Sequence, residues 1–273
     1  MKPVIFSVSL ILLVFGAGAQ RLHLNLFAGT SNYQGDLQDK RFTFDQAHFA
    51  GGLGFSYDLS NHLAVRTGVT IGKISGNDQY GKNRTRNLNF HSFLTEGNLG
   101  LEYYITPVGM HSLTPYLFAG AAVYHYNPYT YDKSGVKYFL APLSTEGQGI
   151  VAGRDPYKLT QFAIPFGGGV KLSLSDNINV GWELGFRKLS NDYLDDVSTS
   201  YIDRNVLLAG RGAKAVELSY RGGEVKNGSQ QYPVVGQQRG NPSSKDWYYF
   251  TGVTVSFRLG GKYSVYGCPG SVL

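Results

Sequence analysis

Apolar residues occupy every second position in eight separate segments of this 273-residue sequence. An extended strand places successive side chains on opposite faces, so the alternation gives each segment one apolar face and one polar face. In the segment 178–188 the apolar face carries Ile178, Val180, Trp182 and Leu184. The eight predicted strands are residues 21–30, 47–57, 63–73, a fourth that includes Phe93 and ends at Ile105, 113–125, 162–174, 178–188 and 247–259.

The polar faces of these strands are rich in glycine and carry nearly equal numbers of positive and negative side chains. Small residues suit a crowded, tapering interior, and buried charges need partners of opposite sign. The charged residues on these faces are Arg66, Lys171, Arg187 and Arg258 on the positive side, and Glu96, Glu102 and Glu183 on the negative side. We therefore predict that these seven side chains form an ion-pair network in the lumen of a barrel, whose apolar face contacts outer-membrane lipid.

The connections between the strands alternate in length, which is typical of membrane barrels with short periplasmic turns and long outer loops. The three short connections are residues 58–62, 106–112 and 175–177, and the other four are long. The fold class is thus all-β: an eight-stranded antiparallel up-and-down transmembrane β-barrel with a filled lumen. Eight strands enclose an interior just wide enough for side chains to fill. We assign residues 20–260 to this outer-membrane barrel with its long extracellular loops.

Both ends of the chain carry separate signals. Lys2 precedes an apolar stretch at residues 4–15 that is too short to span a bilayer, for which about 20 residues are needed. Ala17-Gly18-Ala19 follows this stretch and has the small-residue pattern of a cleavage site. We therefore predict that residues 1–19 are a cleaved signal peptide. Residues 261–273 are predicted to form a periplasmic tail. Its Cys268 contacts a partner or pairs with another chain in an oxidising compartment, or it stays an inert free thiol.

The composition excludes several classes of protein. The sequence has 36 glycines, 20 tyrosines and only 16% charged residues, which favours strands over helices. A single cysteine cannot form a disulfide within the chain. The net charge is +6, but its lysines and arginines are scattered, so no nucleic-acid partner is expected. The histidines lack metal-ligand spacing, and we predict no metal, no cofactor and no small-molecule substrate.

The sequence holds only weak hints of catalysis. His91-Ser92 and His111-Ser112 are dipeptides of the kind that a lipid hydrolase could use, since some outer-membrane barrels carry a catalytic Ser-His pair. The stretch 167–171 is glycine-rich and ends in a lysine, but it lacks the spacing of a phosphate-binding loop and lies within a predicted strand. We predict that the protein is not an enzyme and has no catalytic residues.

Two loop motifs hold candidate functional residues. They comprise Tyr33, Gly35, Asp36 and Leu37 at the start of the first long loop, and Asp192, Tyr193, Asp195 and Asp196 at the start of the last. The aspartates of the second motif, with Asp203, could gather around a cation such as Ca²⁺. The alternative, which we favour, is that their side chains cap local backbone groups.

These motifs and several others occur in an order that resembles one known family. The matching segments are Tyr33 to Leu37, Arg86 to Phe90 followed by Glu96, 101–103, 115–120 with Asn127-Pro128, Gly185 to Arg187 followed by Asp192 to Thr199, and Asp246-Trp247-Tyr248. Together they cover most of the mature chain. They resemble the PorG family of outer-membrane β-barrel proteins, which are components of the type IX secretion system.

The resemblance implies a non-enzymatic role in protein transport. Members of this family sit in the outer membrane and associate with the periplasmic ring made of the lipoprotein PorK and its partner PorN. The short turns and the tail would then be the surface that faces the ring. The alternative is a stand-alone surface barrel of the OmpA/OmpX type, whose outer loops mediate adhesion or ligand binding.

Overall fold

The computed structural model describes residues 21–38, 40, 42–43, 45–107, 112–226 and 228–259. The predicted signal peptide 1–19 and the predicted tail 261–273 with Cys268 lie outside these residues, as does His111. These predictions therefore remain predictions.

Eight long strands form a closed antiparallel barrel in which each long strand pairs with the long strands before and after it. The last strand pairs with the first, with Val253 opposite Ala28, and this pairing closes the cylinder. The long strands are β1 (Leu22–Gln34), β2 (His48–Asp58), β3 (Leu63–Asn77), β4 (Asn89–Tyr104), β5 (Leu113–Tyr126), β8 (Thr160–Ser175), β9 (Ile178–Leu189) and β10 (Trp247–Arg258). Two short strands, β6 (Tyr129–Tyr131) and β7 (Lys137–Phe139), form a hairpin between β5 and β8. The predicted eight-stranded up-and-down barrel is confirmed.

The strands form the wall of the barrel, and their apolar faces point outward and their polar faces inward, as the alternation predicts. Leu99 on β4 and Phe162 on β8 are 59% and 72% exposed on the outside, whereas Glu96 and Tyr124 on the inside are fully buried. Closure gives every strand two partners, so the backbone amides and carbonyls of the wall are satisfied without water. The exterior is therefore the apolar surface of a membrane-spanning barrel around a polar interior.

Several strands continue beyond their predicted ends at the side of the long loops. β3 runs to Asn77 and pairs there with Asn89 of β4, although the alternation predicts an end at Lys73. Ile74 and Ser75, on opposite faces of β3, are both buried at this level. Loops cover the wall from both sides here, so the simple contrast between lipid and lumen that makes the sequence alternate no longer holds.

The turns at the opposite end are short and locally hydrogen-bonded. In the β2–β3 turn, the amides of Leu59 and Ser60 donate to the Leu63 carbonyl at 2.8 and 3.0 Å. The Ser60 hydroxyl in turn accepts from the amide of Leu63 at 3.1 Å. Only Asp176 and Asn177 separate β8 from β9. The contrast in loop length thus places nearly all irregular structure at one end of the barrel.

The four long loops pack together into a folded layer over that end, which we call the cap. Leu37, Leu88, Leu140 and Leu194, one from each long loop, are buried in one hydrophobic cluster that continues into the upper barrel. The cap consists of the described residues within 35–47, 78–88, 127–159 and 190–246.

The last long loop contains two short helices that the sequence pattern does not predict, α1 (Arg204–Arg211) and α2 (Ala213–Ser219). Asp203 caps α1, since its Oδ1 accepts from the amides of Asn205 and Val206 at 2.8 and 3.0 Å. Among the described residues, no helix is long and apolar enough to cross a membrane. These helices instead pack against the other loops of the cap.

Candidate functional site

The lumen is filled by two groups of charged side chains. In the first, Arg66 binds Glu183 through two hydrogen bonds of 2.8 and 3.1 Å. Its Nη1 also lies 3.4 Å from Glu102, which Lys171 contacts from the other side. The Tyr116 hydroxyl donates to Glu183 at 2.7 Å. Each carboxylate therefore has a cation and further donors, which buried charges require.

The second group is centred on Arg187, whose Nε and Nη2 donate to the two oxygens of Glu96 at 2.8 and 2.9 Å. The Tyr248 hydroxyl adds a third hydrogen bond to Glu96 at 2.8 Å, and the guanidinium lies 4.5 Å from the ring centre of Phe250. One internal cavity of about 60 Å³ borders both groups, which is room for water molecules but not for a channel.

One predicted member of this network does not join it. Within the part of the chain that the structure describes, Arg258 forms no ion pair, and its Nε has no hydrogen-bond partner. Arg258 lies opposite His23 near the turn end of the barrel. His23 there contacts Asp58 at 2.9 Å. The sequence identifies the inward face of β10 correctly, but it does not show that the nearby carboxylate of Asp58 contacts His23 rather than Arg258.

The two loop motifs meet in the cap. The Tyr33 hydroxyl donates to Asp195 Oδ2 at 2.5 Å and lies 3.2 Å from Asp246 Oδ1. The other oxygen of Asp195 accepts the backbone amide of Val197 at 2.9 Å. The other oxygen of Asp246 accepts the backbone amide of Leu194, also at 2.9 Å. Burial raises the pKa of both carboxyl groups well above the usual aspartate value, and mutual repulsion adds to the shift at Asp246.

The rest of the first motif supports this contact. Gly35 leaves no space for a Cβ atom, which would overlap the Asp246 carboxylate and the Tyr33 ring. Asp36 accepts the amide of Asn241 at 2.9 Å through its side chain, and burial raises the pKa of its carboxyl group. Leu37 is buried in the hydrophobic cluster of the cap. The motif therefore ties the first loop to the last.

Glu146 lies in the long loop between β5 and β8 and connects this loop to the second motif. The sequence analysis does not identify it as a candidate functional residue. Its carboxylate accepts five hydrogen bonds: the amides of Ser198 and Thr199 at 2.9 Å, the Thr199 hydroxyl at 2.6 Å, the Tyr193 hydroxyl at 3.2 Å and Arg239 Nη1 at 3.0 Å. Glu146 lies in a loop without periodicity, so no pattern in the sequence distinguishes it from an exposed glutamate.

The aspartates of the second motif bind separate donors rather than one another. Asp196 has a φ of +68° and accepts the Tyr157 hydroxyl at 2.7 Å, whereas Asp192 accepts the Ser198 hydroxyl at 2.7 Å. Burial raises the pKa of Asp192 and of Asp196 to about 6. No group of three or more His, Cys, Asp or Glu in the described residues could hold a metal ion. Asp195 and Asp203 cap local backbone amides, as the favoured alternative predicts, whereas Asp192 and Asp196 bind side-chain hydroxyl groups.

The two side chains of the His-Ser dipeptide of β4 contact separate groups. The Ser92 hydroxyl donates to the Phe93 carbonyl and accepts the Asn127 amide, both at 3.0 Å. His91 packs instead against the ring of Tyr129. The hydroxyl is thus occupied by the backbone, and its histidine faces an aromatic cluster.

Solved structures with a similar fold include bacterial outer-membrane β-barrels. Neisserial surface protein A is 10% identical with a TM-score of 0.44, covering 87% of this chain and 96% of that one. OprG from Pseudomonas aeruginosa is 10% identical with a TM-score of 0.41, covering 88% and 98%. Ail of Yersinia pestis is 9% identical with a TM-score of 0.39, covering 86% and 97%.

No curated protein matches the sequence. A family model described as a domain of unknown function, DUF6089, matches residues 2–210, which include seven of the eight barrel strands and most of the cap. The chain therefore belongs to the DUF6089 family.

Proposed function

We propose that this protein is a non-enzymatic component of the type IX secretion system. Its proposed role is to anchor or organise the periplasmic PorK/PorN ring at the outer membrane. The observation that carries the proposal is the meeting of Tyr33, Asp195 and Asp246 in the cap. These residues come from three separate segments of the resemblance to the PorG family. Their contact means that the matching motifs belong to one folded unit rather than to unrelated stretches of sequence.

The filled lumen supports a structural role. The ion pairs of Arg66 and Arg187 occupy the interior, so the barrel is not a conduit for exported protein. Its contribution to secretion must then come from its surfaces. The outward apolar band of the wall supports residence in the outer membrane, with residues 1–19 as the cleaved export signal.

The end with short turns offers a surface for the ring. Leu59, Leu174 and Leu259 are exposed there, next to turns that protrude little from the wall. A periplasmic partner that packs on this end would cover these three leucines, which gives the proposal a specific contact to test.

The test is co-purification of a tagged copy from native membranes, followed by mass spectrometry for PorK and PorN. We expect both ring proteins with the wild type and a clear loss with Leu59→Asn. Val235→Asn, at an exposed position in the cap, is the matched control and should retain them. Heat-modifiable migration on gels verifies that each variant folds. Absence of ring proteins from the wild-type sample, or normal secretion of surface cargo in a deletion strain, would overturn the proposal.

The folded cap favours one other function, that of a stand-alone surface barrel of the OmpA/OmpX type that binds ligands. Arg239 and Glu146, both fully buried, fix the loops in one arrangement, as a binding surface requires. A protein that binds an external ligand through its cap but never co-purifies with the ring proteins would belong to this class.

A further inference from the structure

The cap contains a cavity of about 540 Å³ between the β3–β4 loop and the β9–β10 loop. This volume lies within the range of about 300–1,000 Å³ that small-molecule sites occupy. Arg86 and Arg239 line it, together with Tyr201, Tyr220 and Tyr232. None of the contacts that hold the two loop motifs together requires such a space.

Tyr201 points to a ligand because its hydroxyl is unsatisfied. The residue is 2% exposed, and its hydroxyl oxygen has no hydrogen-bond partner among the described residues. Its ring packs edge-on against Tyr220 and Tyr232, with centroids at 5.9 and 5.8 Å. A buried hydroxyl without a partner is costly, and a polar ligand atom in the cavity that Tyr201 lines would remove that cost.

Both arginines that line the cavity already have carboxylate partners. Arg86 donates to both oxygens of Asp78 at 2.8 and 2.7 Å. Arg239 donates to Glu146 at 3.0 Å and to the Asp196 carbonyl at 2.6 Å. Neither guanidinium is therefore left to bind an anion. The other two charged residues of the lining, Lys82 and Asp36, have opposite signs, so the cavity favours a ligand without net charge.

The remaining polar groups suit a hydroxyl-rich ligand. Gln231, Gln237 and Gln238 line the cavity and are exposed, and a glutamine side chain can both donate and accept hydrogen bonds. Tyrosine rings beside them offer apolar surface to the C–H groups of a sugar ring. We propose that this cavity is a binding site for a neutral saccharide. The inference does not rest on the secretion role, and either could fail alone.

The test uses the full-length protein in lipid nanodiscs or in a detergent without a sugar headgroup, because a maltoside would compete for the site. Binding is measured on an array of neutral and anionic oligosaccharides, and the Kd of the strongest neutral ligand is then determined by titration. We expect Tyr201→Phe to weaken this binding roughly tenfold, as the loss of one hydrogen bond predicts. Gln238→Ala should weaken it as well.

Tyr124→Phe is the matched control, because Tyr124 is also a buried tyrosine whose hydroxyl lacks a partner but lies outside this cavity. It should bind the saccharide as the wild type does. Heat-modifiable migration checks that all variants fold. The proposal is wrong if the wild type binds no neutral saccharide, if it prefers anionic ones, or if Tyr201→Phe and Gln238→Ala bind as tightly as the control.

Discussion

Tyr33 at the top of β1 donates a hydrogen bond of 2.5 Å to Asp195, which lies 162 positions further along the chain. The contact joins the first long loop to the last, on either side of the seam between β1 and β10. Tyr33 also packs its ring edge-on against Phe90 at 4.9 Å. Hydroxyl and ring thus join the last long loop to the upper ends of β1 and β4 at the base of the cap.

Tyr33→Phe should destabilise the cap by about 1–3 kcal/mol, because a buried carboxyl group loses its hydrogen-bond donor. The Phe ring keeps the packing against Phe90, so the loss reports the hydroxyl alone. Limited proteolysis of the β9–β10 loop in lipid vesicles measures the effect, and the variant should be cleaved faster while its barrel stays folded.

The matched control for this change is Tyr124→Phe, since the Tyr124 hydroxyl makes no hydrogen bond within the described structure. Its cleavage rate should equal that of the wild type. If Tyr33→Phe is cleaved no faster than this control, the hydrogen bond to Asp195 does not hold the loops together.

The cap should become less stable as the pH rises from about 4 to about 7. Burial raises the pKa of Asp192 and Asp196 to about 6 in the folded state, above the value of about 3.9 in an unfolded chain. The folded state therefore binds these protons more tightly. Their stabilising contribution is complete below about pH 4 and is lost as the pH rises through about 6. Asp195 and Asp246 shift in the same direction.

Amide hydrogen exchange of residues 190–203 at pH 5 and pH 8, corrected for the intrinsic exchange rate, measures this dependence. Around Asp196, Arg239 lowers the pKa and Glu146 raises it, but burial outweighs both. Asp196→Asn should reduce the difference between the two pH values. Asparagine also tolerates the left-handed backbone at this position. Equal protection at both pH values in the wild type would contradict the expectation.

The barrel could be predicted from the sequence because one physical contrast governs every strand. Lipid on one side and a packed lumen on the other impose a period of two, as at Leu99 and Glu96 on β4. The contrast disappears where loops cover both faces of β3, which is why Ile74 and Ser75 lie beyond the predicted end of that strand.

The cap could be predicted only in part, because its contacts join residues far apart in the chain. Glu146 and Arg239 are separated by 93 positions, yet they form one ion pair. The first loop motif is identified by its glycine and aspartate, but its partner Asp246 is distinguished only by family resemblance. Helices α1 and α2 are too short to show a clear period. Their packing against the other loops, rather than their own sequence, stabilises them.

Leu184→Arg on β9 should cost about 2–4 kcal/mol, because Leu184 belongs to the lipid-facing set of the wall and a cation there must enter hydrocarbon. Urea unfolding in lipid vesicles measures the change. Leu184→Ala is the control, since it shortens the same side chain without adding charge and should cost much less. Equal unfolding midpoints for the two variants would mean that residue 184 does not face lipid.

Glu96→Gln should destabilise the barrel more than Leu184→Arg does, although it only replaces one carboxylate oxygen with an NH2 group. It leaves the Arg187 guanidinium buried without its carboxylate, and breaking one side of a buried pair costs about 3–5 kcal/mol. Adding Arg187→Met removes the unpaired charge and should restore most of the lost stability. The same urea titration compares the single and double variants. If the double variant is no more stable than Glu96→Gln alone, the cost lies in packing around Phe250 and Tyr248 rather than in charge.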